Sequence, residues 1–392
     1  MSSNYLTEPA ALAALCAEAR ARGVMALDVE FIREHTYKPV LALVQIAVGD
    51  TLALIDPLRF PALEILDEII LDPQVCKVLH AGGQDLEIFF NRTTSPPRRI
   101  FDCQIAAALM GLGYQLSLSS VVERLLGVVL DKSETYTDWL RRPLSAKQEE
   151  YALNDVRYLL PVYERLANEL VTRDRVGWAA EEFARLEQLD GYVADPRQLY
   201  RRVKRFSLLS PRGQAVLREL AIWREQEAVR RDRPRRHVLS DEALMEIATR
   251  QPSSREELAR DQLVHPRELA KCAEALLEAV HAGLAAPESD QPRLDGRGRM
   301  SSAERSLAKG TYAHLRAECE RREICPEIVA TSSEVESIVR RFVDGERSAP
   351  ITKFSGWRLE FFEPTLLAYL ESRDGPQLIA APESPRPPPP LT

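Results

Sequence analysis

Two carboxylates, Asp28 and Glu30, stand two residues apart in ALDVEF, among Ala, Leu, Val and Phe. On a strand, residues i and i+2 share a face, so both acids point the same way from an otherwise apolar run. A lone D-x-E pair is most often solvated surface, and here the flanking residues argue against that. A third acid, Asp85, follows an apolar run and a Gly-Gly step in LHAGGQDLEIFF. That places it at the C-terminal edge of a sheet and in the first turn of a helix, where a plain N-terminal aspartate is the competing explanation. Tyr151 and Asp155, in EEYALNDVRYLL, are four apart and share a helix face, while Leu153, Val156 and Leu159 anchor the helix. Like charges brought side by side in this way require a cation.

The surrounding sequence supplies elements that can position them. VMALDVEF, VLALVQIAVGD and TLALID, between Val24 and Asp56, are short β-rich runs joined by KP and GD turn steps, the pattern of an antiparallel meander. A helix around 62–70, a strand CKVLH at 76–80, a helix from about Asp85 to Phe90 and a strand RIFDC at 99–103 follow. Strands separated by helices indicate a mixed sheet covered by helices. From Ile105 onward helical periodicity takes over, including the run 146–171, and beyond about Asp195 no strand is expected.

D-x-E, then an aspartate, then Y-x-x-x-D resembles the DEDD exonuclease superfamily in its branch with a tyrosine in the third motif. ALDVEFIREHTYKPVLALVQIA, VLHAGGQDLEIF, FDCQIAAALMG, DKSETYTDWLRRPLS and YALNDVRYLLPVY together resemble the ribonuclease D family over most of residues 20–170. The resemblance implies a ribonuclease-H-like α/β domain that removes nucleotides from RNA 3′ ends, releasing 5′-mononucleotides. It also implies a pair of divalent cations, Mg²⁺ or Mn²⁺. Such ions can supply a nucleophilic water, charge stabilisation at phosphorus and help for the leaving oxygen. Four carboxylates carry about −4 and two divalent ions about +4, so a loaded site no longer repels phosphate.

Carried over residue by residue, the resemblance gives Asp28, Glu30 and Asp155 one ion and Asp28 with Asp85 the second. Tyr151 orients the attacking water, since a tyrosine pKa near 10 suits orientation better than proton abstraction at neutral pH. Phe31, Gln45, His80 and Leu86 lie close to the motifs and could line the terminal-nucleotide pocket; ordinary packing explains each about as well.

The formal charge of −7 excludes indiscriminate polyanion binding, so any grip on nucleic acid must be local. Between Arg197 and His237 the chain carries thirteen Arg or Lys against four Asp or Glu. Either a solvated helix face or a phosphate-binding patch fits such a run; beside a nuclease the patch is favoured, with Arg201, Arg202, Lys204, Arg205, Arg230, Arg231, Arg235 and Arg236 as its candidates. The stretch AIWREQEAVRRDRPRRHVLSDEALMEIA resembles the HRDC domain, and CPEIVATSSEVESIV with SGWRLEFFEPTLLAYL suggests a second copy.

The expected organisation is an exonuclease domain over 1–195, an HRDC domain over 206–288, a second HRDC-like domain over 300–373 and an extended proline-rich tail over 376–392. The six cysteines are scattered without metal-site spacing and are expected to be ordinary thiols. No apolar run approaches the roughly 20 residues that span a bilayer, and the N-terminus lacks a leader pattern, so a cytoplasmic protein is expected, and a monomeric one because three domains can already encircle a substrate. By resemblance its RNA partners are 3′ ends of tRNA precursors and other structured RNAs. A DNA 3′→5′ exonuclease and a non-catalytic RNA-binding adaptor are the rival readings; the intact acidic set disfavours the adaptor.

Overall fold

The computed structural model describes residues 4–60, 62–130, 137–193, 195–260, 264, 266–292, 300–347 and 354–372. In chain order the first elements are α1 (Pro9–Arg22), β1 (Val24–Ile32), β2 (Val40–Val48), β3 (Thr51–Ile55), α2 (Glu64–Leu71), β4 (Cys76–Leu79), α3 (Gly83–Thr93) and β5 (Ile100–Asp102). Helices follow: α4 (Cys103–Leu109), α5 (Leu118–Leu126), α6 (Ala146–Arg157), α7 (Leu159–Thr172), α8 (Val176–Leu186), α9 (Pro211–Arg231), α10 (Arg235–Val238), α11 (Asp241–Arg250), α12 (Arg255–Ala259) and α13 (Pro266–Ala285). After them come α14 (Ser302–Arg321), α15 (Pro326–Val329), α16 (Ser332–Val343) and a last helical stretch over 359–372. The helical run expected over 146–171 is two helices. Tyr158 separates them, and Pro161, which has no N–H to bond back to residue 157, cannot continue the first.

The five strands form one sheet in the order β3-β2-β1-β4-β5, with β1–β2 and β2–β3 antiparallel and β1–β4 parallel. Its mixed character and its strand positions are those expected. Alternation along the strands divides the side chains between two faces. Leu27, Val29, Val44, Ile46, Val48, Ala53 and Ile55 face a core closed by α1, α2 and α3. Leu43 and Leu54 face the opposite way and pack with Trp139, Leu144, Ala152 and Leu153, the last two from α6. Asp28 and Glu30 lie on this second face, because Asp28 pairs with Gln45 and Glu30 with Leu43 across the ladder.

The chain forms two compact units, each built from non-consecutive segments. One comprises Met1–Phe101, Leu130–Leu160 and Ala184–Arg297; the other comprises Asp102–Val129, Pro161–Phe183 and Gly298–Thr392. The first holds the sheet, α6 and the helices α9–α13, which pack around Leu217, Leu220, Leu244, Ile247 and Leu276. In the second, the fully buried Arg358 guanidinium donates to Glu182 (2.8 Å to Oε2), which also accepts from the Trp357 indole at 2.9 Å. A long helix, a single turn associated with proline, and a second helix capped by Ser or Thr recur as α9–α10–α11 and as α14–α15–α16. The proline-rich tail lies outside the described residues.

Candidate active site

The apolar ladder holds β1 rigid, and α6 lies against the face on which Asp28 and Glu30 stand. Helix α6 starts where Ser145 and Gln148 form a reciprocal capping box, which fixes its first turn. Its Tyr151 and Asp155 then follow at one helical spacing. One carboxylate oxygen from each of Asp28, Glu30 and Asp155 lies within 4.8 Å of the others, a group able to hold a metal ion. Strand and helix thus bring together acids more than a hundred residues apart in sequence.

Burial and mutual repulsion dominate the electrostatics. The Asp28 carboxyl is pushed up to about 7 by desolvation, against one backbone hydrogen bond that favours its charge. Desolvation, with repulsion from Asp28, Asp155 and Asp85, pushes Glu30 up to about 9. Desolvation and Asp28 raise Asp155 to about 8. At neutral pH these groups retain protons that a bound cation would displace. Their all-oxygen donor set suits a hard divalent ion such as Mg²⁺ or Mn²⁺.

Asp85 stands outside the trio but repels Glu30, so it belongs to the same electrostatic cluster. It occupies the first turn of α3, after a tight turn in which Ala81 takes φ 56°. Gly82 is required there, since a Cβ would lie 2.8 Å from that of Leu79. The pairing of Ala26 with Val78 brings the end of β4, and this turn, alongside the acidic end of β1. Tyr151 is half-buried against Trp139, with ring centroids 6.0 Å apart. Trp139 belongs to the TDW segment of the sequence, but its contact with Tyr151 was not foreseen; an aromatic twelve residues before a helix face offers no such signal.

The four other candidate lining residues separate. His80 and Phe31 are half-buried, Phe31 packing against the core that holds Leu27 and Val29, with the Arg33 guanidinium 5.9 Å from its ring centroid. Leu86 is fully buried in the core beneath the sheet, so it packs and presents no surface to a nucleotide. Gln45 is also fully buried, which corrects its reading as a pocket wall.

Comparison with known proteins bears directly on this arrangement. A 3′-5′ exonuclease family model matches residues 4–171, and an HRDC domain model matches 213–280. Ribonuclease D of Jannaschia sp. (strain CCS1) is 38% identical over 373 residues, 94% of this chain and 95% of the relative. Ribonuclease D of Pseudomonas paraeruginosa is 36% identical over 94% of this chain and 98% of its own. The crystal structure of Escherichia coli RNase D, described as an exoribonuclease involved in structured RNA processing, superposes with a TM-score of 0.82 at 33% identity, covering 95% of this chain and 100% of that one. The chain belongs to the ribonuclease D family. It is a 3′→5′ exoribonuclease, its substrate is RNA, and no described helix is long and apolar enough to cross a membrane.

In this chain the basic segment is less available than its sequence suggests. Arg230 and Arg231 both bind Glu227, three and four residues earlier on α9, and Arg231 also reaches Glu268. These bonds pull the Glu227 carboxyl down to about 2. Arg235 binds Glu225 and lies 5.1 Å over the Tyr37 ring, whose hydroxyl also donates to Glu225. The Tyr37 backbone N–H donates to Asp232 at 3.0 Å. Arg230, Arg231 and Arg235 are therefore ion-paired within the chain, the last tying the loop after β1 to α9, whereas the side chain of Arg230 stays largely exposed. Arg201, Arg202, Lys204, Arg205 and Arg236 are exposed, with no ion-pair partner among the described residues. All six cysteines are free and buried, as expected of ordinary thiols.

Proposed function

We propose that this exoribonuclease shortens the 3′ ends of tRNA precursors and other structured RNAs one residue at a time, releasing 5′-mononucleotides by two-metal-ion hydrolysis. The observation that carries the reading is the convergence of Asp28, Glu30 and Asp155 within 4.8 Å, in a setting that leaves three acids facing one another. Two divalent cations, Mg²⁺ or Mn²⁺, would supply water activation and charge stabilisation at phosphorus. Asp28, Glu30 and Asp155 hold one of them, and Asp28 with Asp85 the other. The Tyr151 hydroxyl orients the attacking water, its ring held by Trp139. His80 and Phe31 border the terminal nucleotide. Arg201, Arg202, Lys204, Arg205 and Arg236 hold phosphates farther along the strand, and the enzyme works as a monomer in the cytoplasm.

The test is to incubate the protein with a 3′-tailed RNA and with DNA of the same sequence, each with Mg²⁺, Mn²⁺ or EDTA, and to resolve the products. Stepwise shortening of RNA to 5′-mononucleotides, abolished by EDTA, is expected. Shortening of DNA alone, endonucleolytic fragments or activity in EDTA would contradict the reading.

A further inference from the structure

Gln45 is the one residue of β2 whose chemistry does not suit its place. Every other residue of the strand is Val, Leu, Ala or Ile, yet Gln45 has no exposed surface at all. Neither its amide nitrogen nor its amide oxygen has a hydrogen-bond partner among the described residues. Unpaired buried amides cost folding free energy, and an apolar side chain of the same length would remove that cost. The residue is therefore retained at the expense of the metal-free fold, which points to a partner in another state.

The ladder identifies that partner. Gln45 stands directly opposite Asp28 in the antiparallel pair, and Leu54 opposite it on β3, so its side chain lies on the face that holds the carboxylates. Residues directly opposite have Cβ atoms about 4.5–5.5 Å apart, well within the reach of a glutamine. On this face Leu43, Leu54, Ala152 and Leu153 offer no polar side-chain group, and Trp139, which packs with them, carries an indole N–H that has no partner among the described residues either. A carboxylate that holds a metal is ordinarily oriented by a further hydrogen bond from behind, and losing such a bond costs about 10–100-fold in metal affinity.

We propose that Gln45 is a positioning residue for Asp28: its amide N–H donates to the Asp28 carboxylate in the metal-loaded site and fixes the oxygens that face the cations. It acts through Asp28 and not on the RNA, because it presents no surface to a nucleotide. This inference rests on the metal-holding role given to Asp28 above.

Gln45→Met removes both polar atoms at nearly constant length, and Leu43→Met, opposite Glu30 on the same face, serves as the packing control. The readouts are the thermal midpoint without metal, calorimetric affinity for Mg²⁺ and Mn²⁺, and kcat and KM for RNA at low and saturating metal. Gln45→Met is expected to melt no lower than wild type, to bind Mg²⁺ about 10–100-fold more weakly, and to recover kcat as metal is raised, with KM for RNA unchanged. Leu43→Met should keep wild-type metal affinity. Wild-type metal affinity in folded Gln45→Met would overturn the inference, as would a KM for RNA that stays raised at saturating metal. Should Gln45→Met fail to fold, Gln45→Asn keeps the amide but withdraws it by one methylene; weakened Mg²⁺ binding supports the inference and wild-type binding overturns it. The underlying role is tested separately by Asp28→Asn: wild-type Mg²⁺ affinity there would sink the metal reading itself, whereas a normal Gln45→Met sinks only the inference about Gln45.

Discussion

On the sheet face beneath α6, three acids from a strand and a helix stand within 4.8 Å, and the side chains acting on them are one another and Asp85. In the run from Arg197 to His237 the charge is also of mostly one sign. There the fold supplies counter-charges: Glu227 and Glu268 for Arg230 and Arg231, Glu225 for Arg235, Asp241 for Arg224 and Asp290 for Arg197 and Arg218. The first region is left electrostatically incomplete and calls for something from outside the chain. The second is completed in part within it, leaving Arg201, Arg202, Lys204, Arg205 and Arg236 without an ion-pair partner among the described residues. Uncompensated charge held on rigid elements marks chemistry, while an excess counted along a segment says little until its partners are known.

The largest effect that can break this contrast is on turnover. Asp28→Asn or Asp155→Asn should lower kcat on RNA at least about a thousandfold, since losing a metal ligand forfeits several kcal/mol and each 1.36 kcal/mol is tenfold. Circular dichroism should show the fold intact. Near-normal activity in a folded variant would remove that residue from the active site.

Next comes the salt dependence of RNA binding, measured in an Asp28→Asn background. Replacing Arg201, Arg202, Lys204 and Arg205 together by Gln should flatten the slope of log affinity against log salt by roughly three units, at about 0.7–0.9 per phosphate contact. Replacing Arg230 and Arg231 by Gln should leave the slope unchanged, because Glu227 and Glu268 already hold them. Equal slopes in the two variants would mean that pairing in the folded chain does not decide which cations meet RNA.

Tyr151→Phe keeps the ring against Trp139 and removes only the hydroxyl. A loss of about tenfold to a hundredfold in kcat is expected, below the range typical of a true general base, with Mg²⁺ affinity retained. Collapse of metal affinity in this variant would place Tyr151 among the metal ligands instead.

Much of the site was legible because strand and helix periodicity are rigid rules. Two residues apart on β1 and four apart on α6 had to share a face, and the Gly-Gly step had to turn the chain into α3. The register between β1 and β2 was not legible, so Gln45 read as a pocket residue when it is a buried neighbour of Asp28. Of the two readings open for Leu86, packing holds, because a residue next to a functional aspartate on a helix points about 100° away from it, here into the core. Of the ion pairs, Glu227 with Arg230 and Arg231 could have been found from i,i+3 and i,i+4 spacing. The tie from Tyr37 to Glu225 and Arg235 could not, since nearly two hundred residues separate them and nothing local announces the contact.

The smallest effect concerns stability without metal. Asp28, Glu30 and Asp155 bind protons more tightly when folded than the usual carboxylate range of an unfolded chain. Between about pH 4 and pH 9 these three groups together hold more protons in the folded state than in the unfolded one, so their contribution to stability falls as pH rises. The thermal midpoint of EDTA-treated protein should be lower at pH 8.5 than at pH 5.5, with the decline shallower in Asp28→Asn. A midpoint that rises over that window would contradict the protonation assigned to the trio.

The most direct test of the carboxylate cluster is a calorimetric titration of Mg²⁺ or Mn²⁺ into metal-free protein at pH 7, repeated in buffers of different ionisation enthalpy so that proton release is counted. Wild type should bind the ion and release protons as it binds, because acids held up to about 7, 8 and 9 must give them up. Asp155→Asn should lose most of the affinity. Binding without proton release, or unaltered binding in Asp155→Asn, would show that these acids do not form the metal site.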